Sequence, residues 1–118
     1  MKVLVTGGAG FIGSHIVEYL TQRGDDVVVL DDLSNGKMQN LSKVSNDINF
    51  VNGDVRDYKL VGQLVKDVDG VFHEAALVSV PESFKMQNKY FDVNVNGTEN
   101  ILKLAKEYGF KIVYASSS

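Results

Sequence analysis

The octapeptide Thr6-Gly7-Gly8-Ala9-Gly10-Phe11-Ile12-Gly13 constrains this chain more than any other segment. It follows KVLVT at 2–6, a short β-branched run that is apolar on successive positions and so suits a strand buried on both faces of a parallel sheet. Beyond the glycines the period changes. Ile12, Ile16 and Leu20 recur at four-residue spacing, Val17 and Tyr19 widen the stripe, and Gly24 after Arg23 terminates a helix. The order is therefore strand, glycine turn, helix, and each glycine has a physical task. Gly7 permits the tight turn, Gly10 lets backbone approach a phosphate, and Gly13 lets the helix pack close to the strand. An anion at such a helix start meets free N–H groups and the positive end of the helix dipole.

The alternation continues along the chain. VVVL at 27–30 predicts a second buried strand ending in Asp31-Asp32, and the polar stretch from Ser34 to Asp47 reads as a long loop or a weak helix. INFV at 48–51 predicts a third strand, followed by a helix that Asp57 caps and that carries Leu60, Val61, Leu64 and Val65. GVFHEAA at 70–76 predicts a fourth strand. A long helical segment follows Pro81, with Tyr90, Asn94, Gly97, Ile101, Leu104 and Tyr108 on one stripe before Gly109, and KIVYA at 111–115 is the fifth strand. Right-handed βαβ units then give an α/β fold, a Rossmann-type doubly wound parallel sheet truncated after the fifth strand. A chain ending at Ser118, where a strand has just reached the cleft, is expected to be part of a larger fold, with a complete five-stranded flavodoxin-like domain as the alternative.

Composition removes several function classes. Twelve Lys plus Arg against fifteen Asp plus Glu give a net charge of −3 with no basic block, so nucleic acid is not an expected partner. Absence of cysteine excludes disulfides, thiolate nucleophiles and thiolate zinc sites, and with only His15 and His73 as imidazoles no metal site is expected. No apolar run approaches the ~20 residues that span a bilayer, and the N-terminus carries no secretory pattern, so no membrane partner and a cytoplasmic location are expected.

A glycine triplet gains weight from its context: a preceding strand, a following helix, and an acid at the end of the second strand, Asp31. A carboxylate there accepts ribose hydroxyls and repels a 2′-phosphate. With no Arg between Asp31 and Gly36, NAD is expected rather than NADP. No Lys-Ser/Thr pair follows the glycines, which disfavours a P-loop nucleoside triphosphatase. Asp32 is either a solvated loop acid or part of the site, and Asp54 either a turn acid or a border of the adenine. His73 reads as a packed core imidazole, and Glu74 has no assigned role.

TGGAGFIG, DDLSNG at 31–36, GDVRD at 53–57, HEAA at 73–76, NVNGT at 94–98 and YASSS at 114–118, in this order, resemble the N-terminal part of an extended short-chain dehydrogenase/reductase. Within that superfamily the resemblance is strongest to NAD-dependent nucleotide-sugar epimerases of the UDP-glucose 4-epimerase type. It implies that residues 1–118 are the N-terminal part of an NAD-binding domain, with the substrate domain outside this chain. It also implies that Gly7, Gly10, Phe11, Ile12 and Gly13 hold the pyrophosphate, that Asp31, Asp32, Asn35 and Gly36 hold the adenosine ribose region, and that Asp54 and Val55 border adenine. By the same resemblance Ala75, Ala76 and Leu77 line the nicotinamide side and Asn94 lies near the cofactor. The stripe supports Asn94 separately, because a polar side chain on a core-facing stripe must find a buried partner.

The resemblance also implies a catalytic hydroxyl after the fifth strand, Ser117 by alignment on VYASS or Ser118 with one residue of slippage. It would touch the sugar and assist a Tyr activated by a Lys four residues on. No Tyr-x-x-x-Lys occurs here: Tyr90 is followed at that spacing by Asn94, and Tyr108 by Ile112. By itself the chain is expected to be inactive. Val78 stands where the best-studied epimerase type carries Lys. The expected partners are a nucleotide sugar, with a UDP-hexose in first place, and a second copy, since such enzymes commonly dimerise through helices. A Thr-Asp-Glu run in place of the serines would indicate a 4,6-dehydratase. That enzyme, a related decarboxylase and a non-catalytic NAD-binding module are the alternatives.

Overall fold

Val3, Leu4 and Val5 expose no more than 1% of their surface, which only a strand covered on both faces achieves. A computed structural model describes residues 1–34, 36–74 and 96–114. Its elements are β1 (Lys2–Thr6), α1 (Phe11–Gln22), β2 (Asp26–Asp31), a 3₁₀ turn (Met38–Leu41), β3 (Ile48–Asn52), α2 (Tyr58–Val65), β4 (Gly70–His73), α3 (Gly97–Tyr108) and β5 (Lys111–Tyr114). All pairings are parallel, in the order β3-β2-β1-β4-β5. A flavodoxin-like sheet runs 2-1-3-4-5, so the order found here excludes that alternative.

Alternation along the strands builds two cores. Val3, Val5, Val27 and Val29 point to one face and pack on Val17 and Leu20 of α1 and on Leu41 and Val44. Leu4, Val28, Leu30 and Val71 point to the other and meet Val61, Val65, Ile101 and Leu104 of α2 and α3. Right-handed crossovers require this division, because the chain reverses its direction across the sheet between β3 and β4. The reversal places the switch point beside β1, between its carboxyl end and that of β4.

Several elements depart from expectation. In α1 the buried positions are Gly13, Ser14, Val17 and Leu20, whereas Ile12 is 59% and Tyr19 62% exposed. The helix docks through its glycine against the turn, so that of the predicted stripe Val17 and Leu20 are buried and Ile16 half-buried, while Ile12 and Tyr19 face outward. Phe11, Ile12, Ile16 and Tyr19 then line an apolar groove with Phe72. β4 ends at His73, three residues earlier than predicted, and Glu74 instead turns its N–H to the Thr6 carbonyl at 2.9 Å. The polar stretch from 34 to 47 contains the 3₁₀ turn, held down by the fully buried Leu41. In α3 the stripe holds at Gly97, Ile101 and Leu104 but not at Tyr108, which is largely exposed. Tyr90, Asn94 and the rest of residues 82–95 lie outside the described residues.

Candidate functional site

The glycine turn leaves the carboxyl end of β1, between the parallel neighbours β2 and β4. Gly7 adopts φ 69°, the left-handed region open to glycine, and its N–H donates to the Leu30 carbonyl at 2.7 Å, so the turn is tied to the end of β2. Gly13 is fixed by close approach: a Cβ there would lie 2.2 Å from the Gly7 carbonyl oxygen. The close packing expected of Gly13 is thus against the turn rather than against the strand itself. Gly8, which the sequence reading passed over, has the same kind of constraint, since its Cβ would lie 2.6 Å from Val29 Cγ1.

Gly10 is different. It is the N-cap of α1, with φ −75° and no side chain closing the helix end. A Cβ there would meet only the Gly7 carbonyl oxygen, at 3.3 Å, so internal packing asks little of this glycine. The first helical bond is Ser14 N–H to Gly10 C=O at 2.9 Å. The N–H groups of Phe11, Ile12 and Gly13 precede it and are left to a ligand. An open cradle in front of unpaired N–H groups fits a pyrophosphate.

Asp31 ends β2 and is 8% exposed. Its Oδ2 accepts the Ala9 N–H at 2.9 Å and its Oδ1 accepts the Leu33 N–H at 2.7 Å. An ionised carboxylate has about four acceptor sites, so capacity remains for ribose hydroxyls. Burial raises the Asp31 carboxyl above its ordinary value, the Leu33 and Ala9 N–H groups lower it, and neighbouring Asp32 raises it further. The bond to Leu33 also accounts for that residue's φ of 64°, a left-handed conformation that costs a non-glycine residue about 1–2 kcal/mol. Asp32 is exposed and accepts the Ser34 N–H at 3.0 Å. Gly36 folds back onto the turn, where a Cβ would sit 2.8 Å from both the Ala9 carbonyl carbon and Asp31 Oδ2.

Ala9 is the hub that sequence reasoning missed. Besides its N–H, its carbonyl accepts from Lys37 N–H at 3.0 Å and from Asn40 Nδ2 at 2.8 Å. The loop after β2 is therefore stitched to the glycine turn at both ends of one residue. No periodicity signals a side chain such as Asn40 that reaches a backbone carbonyl thirty-one positions away.

On the far side of β2, Asp54 follows β3 and is clamped by Arg56, whose Nη2 approaches Oδ2 at 2.6 Å and whose N–H donates to Oδ1 at 2.8 Å. Val55 is buried in the core, so only its backbone faces the site. His73 is 6% exposed, as a packed imidazole should be. It shares a 2.8 Å hydrogen bond with Thr6 Oγ1 through Nδ1 and a 3.0 Å bond with Thr98 Oγ1 through Nε2. Burial lowers it to about 4, so it is neutral at pH 7. Glu74, raised by burial, donates its N–H to Thr6 Oγ1 at 3.0 Å.

The structure thus brings together Gly7, Gly10, Phe11, Ile12, Gly13, Asp31, Gly36 and the Asp54-Val55 turn at one sheet edge. Asn35, Ala75, Ala76, Leu77, Asn94, Ser117 and Ser118 lie outside the described residues. No helix among the described residues is long and apolar enough to cross a membrane.

Comparison with known proteins agrees with this geometry. The chain is 42% identical, over its whole length, to the UDP-glucose 4-epimerase of Lacticaseibacillus casei, 35% of which it covers. Among solved structures, the Thermus thermophilus UDP-glucose 4-epimerase in complex with NAD matches 98% of the chain at 44% identity and a TM-score of 0.88. The dTDP-glucose 4,6-dehydratase DesIV of Streptomyces venezuelae, solved with NAD, matches 93% at 39% identity and a TM-score of 0.87. The chain covers 37% of each of these structures, so it spans little more than a third of such relatives. The sequence profile of the NAD dependent epimerase/dehydratase family matches residues 3–118, from the first buried strand through the serine run. The chain belongs to the NAD dependent epimerase/dehydratase family.

Proposed function

We propose that this chain is the NAD-binding portion of a nucleotide-sugar 4-epimerase of the UDP-glucose type. The observation that carries the reading is the open cradle at Gly10, flanked by the unpaired N–H groups of α1 and by the buried Asp31. Phe11, Ile12 and Gly13 hold the pyrophosphate through backbone N–H groups. Asp31 accepts the ribose hydroxyls, with Asp32, Asn35 and Gly36 shaping the loop around them. Asp54 and the Val55 backbone border adenine. Ala75, Ala76, Leu77 and Asn94 line the nicotinamide end. A buried carboxylate at Asp31 disfavours the 2′-phosphate of NADP by charge repulsion and by desolvation.

When bound, NAD supplies reversible hydride acceptance at the sugar C4. Ser117, with Ser118 beside it, hydrogen-bonds the sugar hydroxyl. The proton-moving Tyr-x-x-x-Lys pair is not in this sequence, so turnover requires residues other than these 118. The identity to UDP-glucose 4-epimerases from several bacteria supports the sugar class. A second reading, a nucleotide-sugar 4,6-dehydratase, is favoured by the DesIV match but opposed by the serine run in YASSS. A domain that partners a nucleotide sugar and pairs with a second copy through α3 completes the reading. Calorimetric titration with NAD and NADP tests it: NAD binding with NADP excluded supports the assignment, and equal binding of both contradicts the role of Asp31.

A further inference from the structure

The first turn of α3 joins parts of the site that the strands hold apart. Gly97 lies against Val55, where a Cβ would come within 2.5 Å of Val55 Cγ1. Thr98 meets His73, and through it Thr6 at the end of β1. Asn100 does something more specific: its carboxamide nitrogen donates to the Val55 carbonyl at 3.1 Å and to the Arg56 carbonyl at 2.9 Å. One NH₂ group thereby saturates both its hydrogens on two successive peptide units of the β3–α2 turn.

Those peptide units carry the groups that face the cofactor. Arg56 N–H and its guanidinium both grip the Asp54 carboxylate, so fixing the Arg56 peptide also fixes where that carboxylate stands. We propose that Asn100 is a positioning residue for adenine recognition, acting through the Val55 and Arg56 carbonyls on the placement of Asp54. This inference rests on the NAD-binding reading and extends it to a residue on a helix that contributes no other group to the adenine side. Asn100 is only partly buried and neighbours the Gly97, Ile101, Leu104 stripe.

The chemistry of the ligand provides the test. NAD and nicotinamide hypoxanthine dinucleotide differ at the 6-position of the purine, an amine in one and a carbonyl oxygen in the other, and at the adjoining N1, an acceptor in one and an N–H donor in the other. A fixed Asp54 carboxylate accepts from the amine and repels the oxygen, so the parent chain should prefer NAD. In Asn100→Ala this preference should collapse towards one, with NAD binding weakened about tenfold, the scale of one or two lost neutral hydrogen bonds. Asn100→Asp, isosteric but presenting acceptors to two carbonyls, should lose at least as much. Asn100→Gln keeps the donor on a longer arm and should recover part of the preference, which also covers the case in which the alanine variant does not fold. General destabilisation would weaken both dinucleotides equally and leave their ratio at the parent value, and that result overturns the proposal. Failure of the parent chain itself to bind either dinucleotide contradicts the NAD reading instead, and removes this role with it.

Discussion

The Asp31 carboxylate accepts the Ala9 N–H at 2.9 Å and so couples the acid proposed to read ribose to the turn proposed to cradle phosphate. Because the Leu33 N–H takes the other oxygen, at 2.7 Å, Asp31 is also the bolt of the loop that follows β2.

Asp31→Asn keeps the shape but turns an NH₂ towards one of two N–H donors. One buried N–H then loses its acceptor, at a cost of about 1–3 kcal/mol. Urea denaturation should show that loss, and NAD affinity should fall with it. A variant as stable as the parent would mean that the Ala9 and Leu33 bonds do not hold the turn.

Gly13 and Gly10 should separate stability from binding. In Gly13→Ala the new Cβ meets the Gly7 carbonyl oxygen at 2.2 Å and Gly8 Cα at 3.0 Å, all backbone that must shift. Overpacking of this kind costs about 1–3 kcal/mol. Gly10→Ala meets a single atom at 3.3 Å and should change the melting temperature far less than Gly13→Ala while weakening NAD binding. Equal destabilisation by the two substitutions would remove the distinction between a packing glycine and a cradle glycine.

The glycine turn, the order of strands and helices, and the acid at the end of β2 were legible in the sequence because each rests on local chemistry: β-branched runs, a change of period, a short motif in context. The outward placement of Ile12 and Tyr19 on α1 was not. Ile12, Ile16 and Leu20 carry a helical spacing, but the close approach of Gly13 to Gly7 decides which face is buried, and that contact belongs to tertiary structure. Asn40 and Asn100 escaped for a related reason, since both act on backbone carbonyls remote in sequence. For Asn100 a signal did exist. A polar residue beside the buried stripe of α3 invites the same question of a buried partner that the sequence analysis asked of Asn94.

His73 should make stability depend on pH. Its imidazole titrates near 6.5 when unfolded and about 4 when folded, so the unfolded state takes up the proton first as pH falls. Stability is fully present above 6.5 and declines towards pH 4, by an amount on the order of 3 kcal/mol. Asp31 and Glu74, raised by burial, act in the opposite sense and lose stability as pH rises through their folded values. Urea midpoints of the parent and of His73→Gln between pH 7 and 5 should therefore converge as pH falls. Parallel curves would contradict a neutral buried imidazole.

Asp57 provides a control outside the site. Its Oδ1 caps α2 by accepting the Leu60 N–H at 3.2 Å. Asp57→Ala should cost about 1 kcal/mol of stability and leave NAD affinity unchanged. A large loss of affinity would mean that the capped end of α2 belongs to the site.

NAD binding by the Gly10 cradle and Asp31 is the proposal on which the other roles depend. Titration of the chain with NAD and NADP by calorimetry, beside a folded Gly10→Val variant whose side chain fills the cradle, tests it most directly. The expected result is a heat of binding for NAD, none for NADP, and none for NAD in Gly10→Val. Undiminished NAD binding by Gly10→Val would contradict it, because the pyrophosphate would then lie elsewhere.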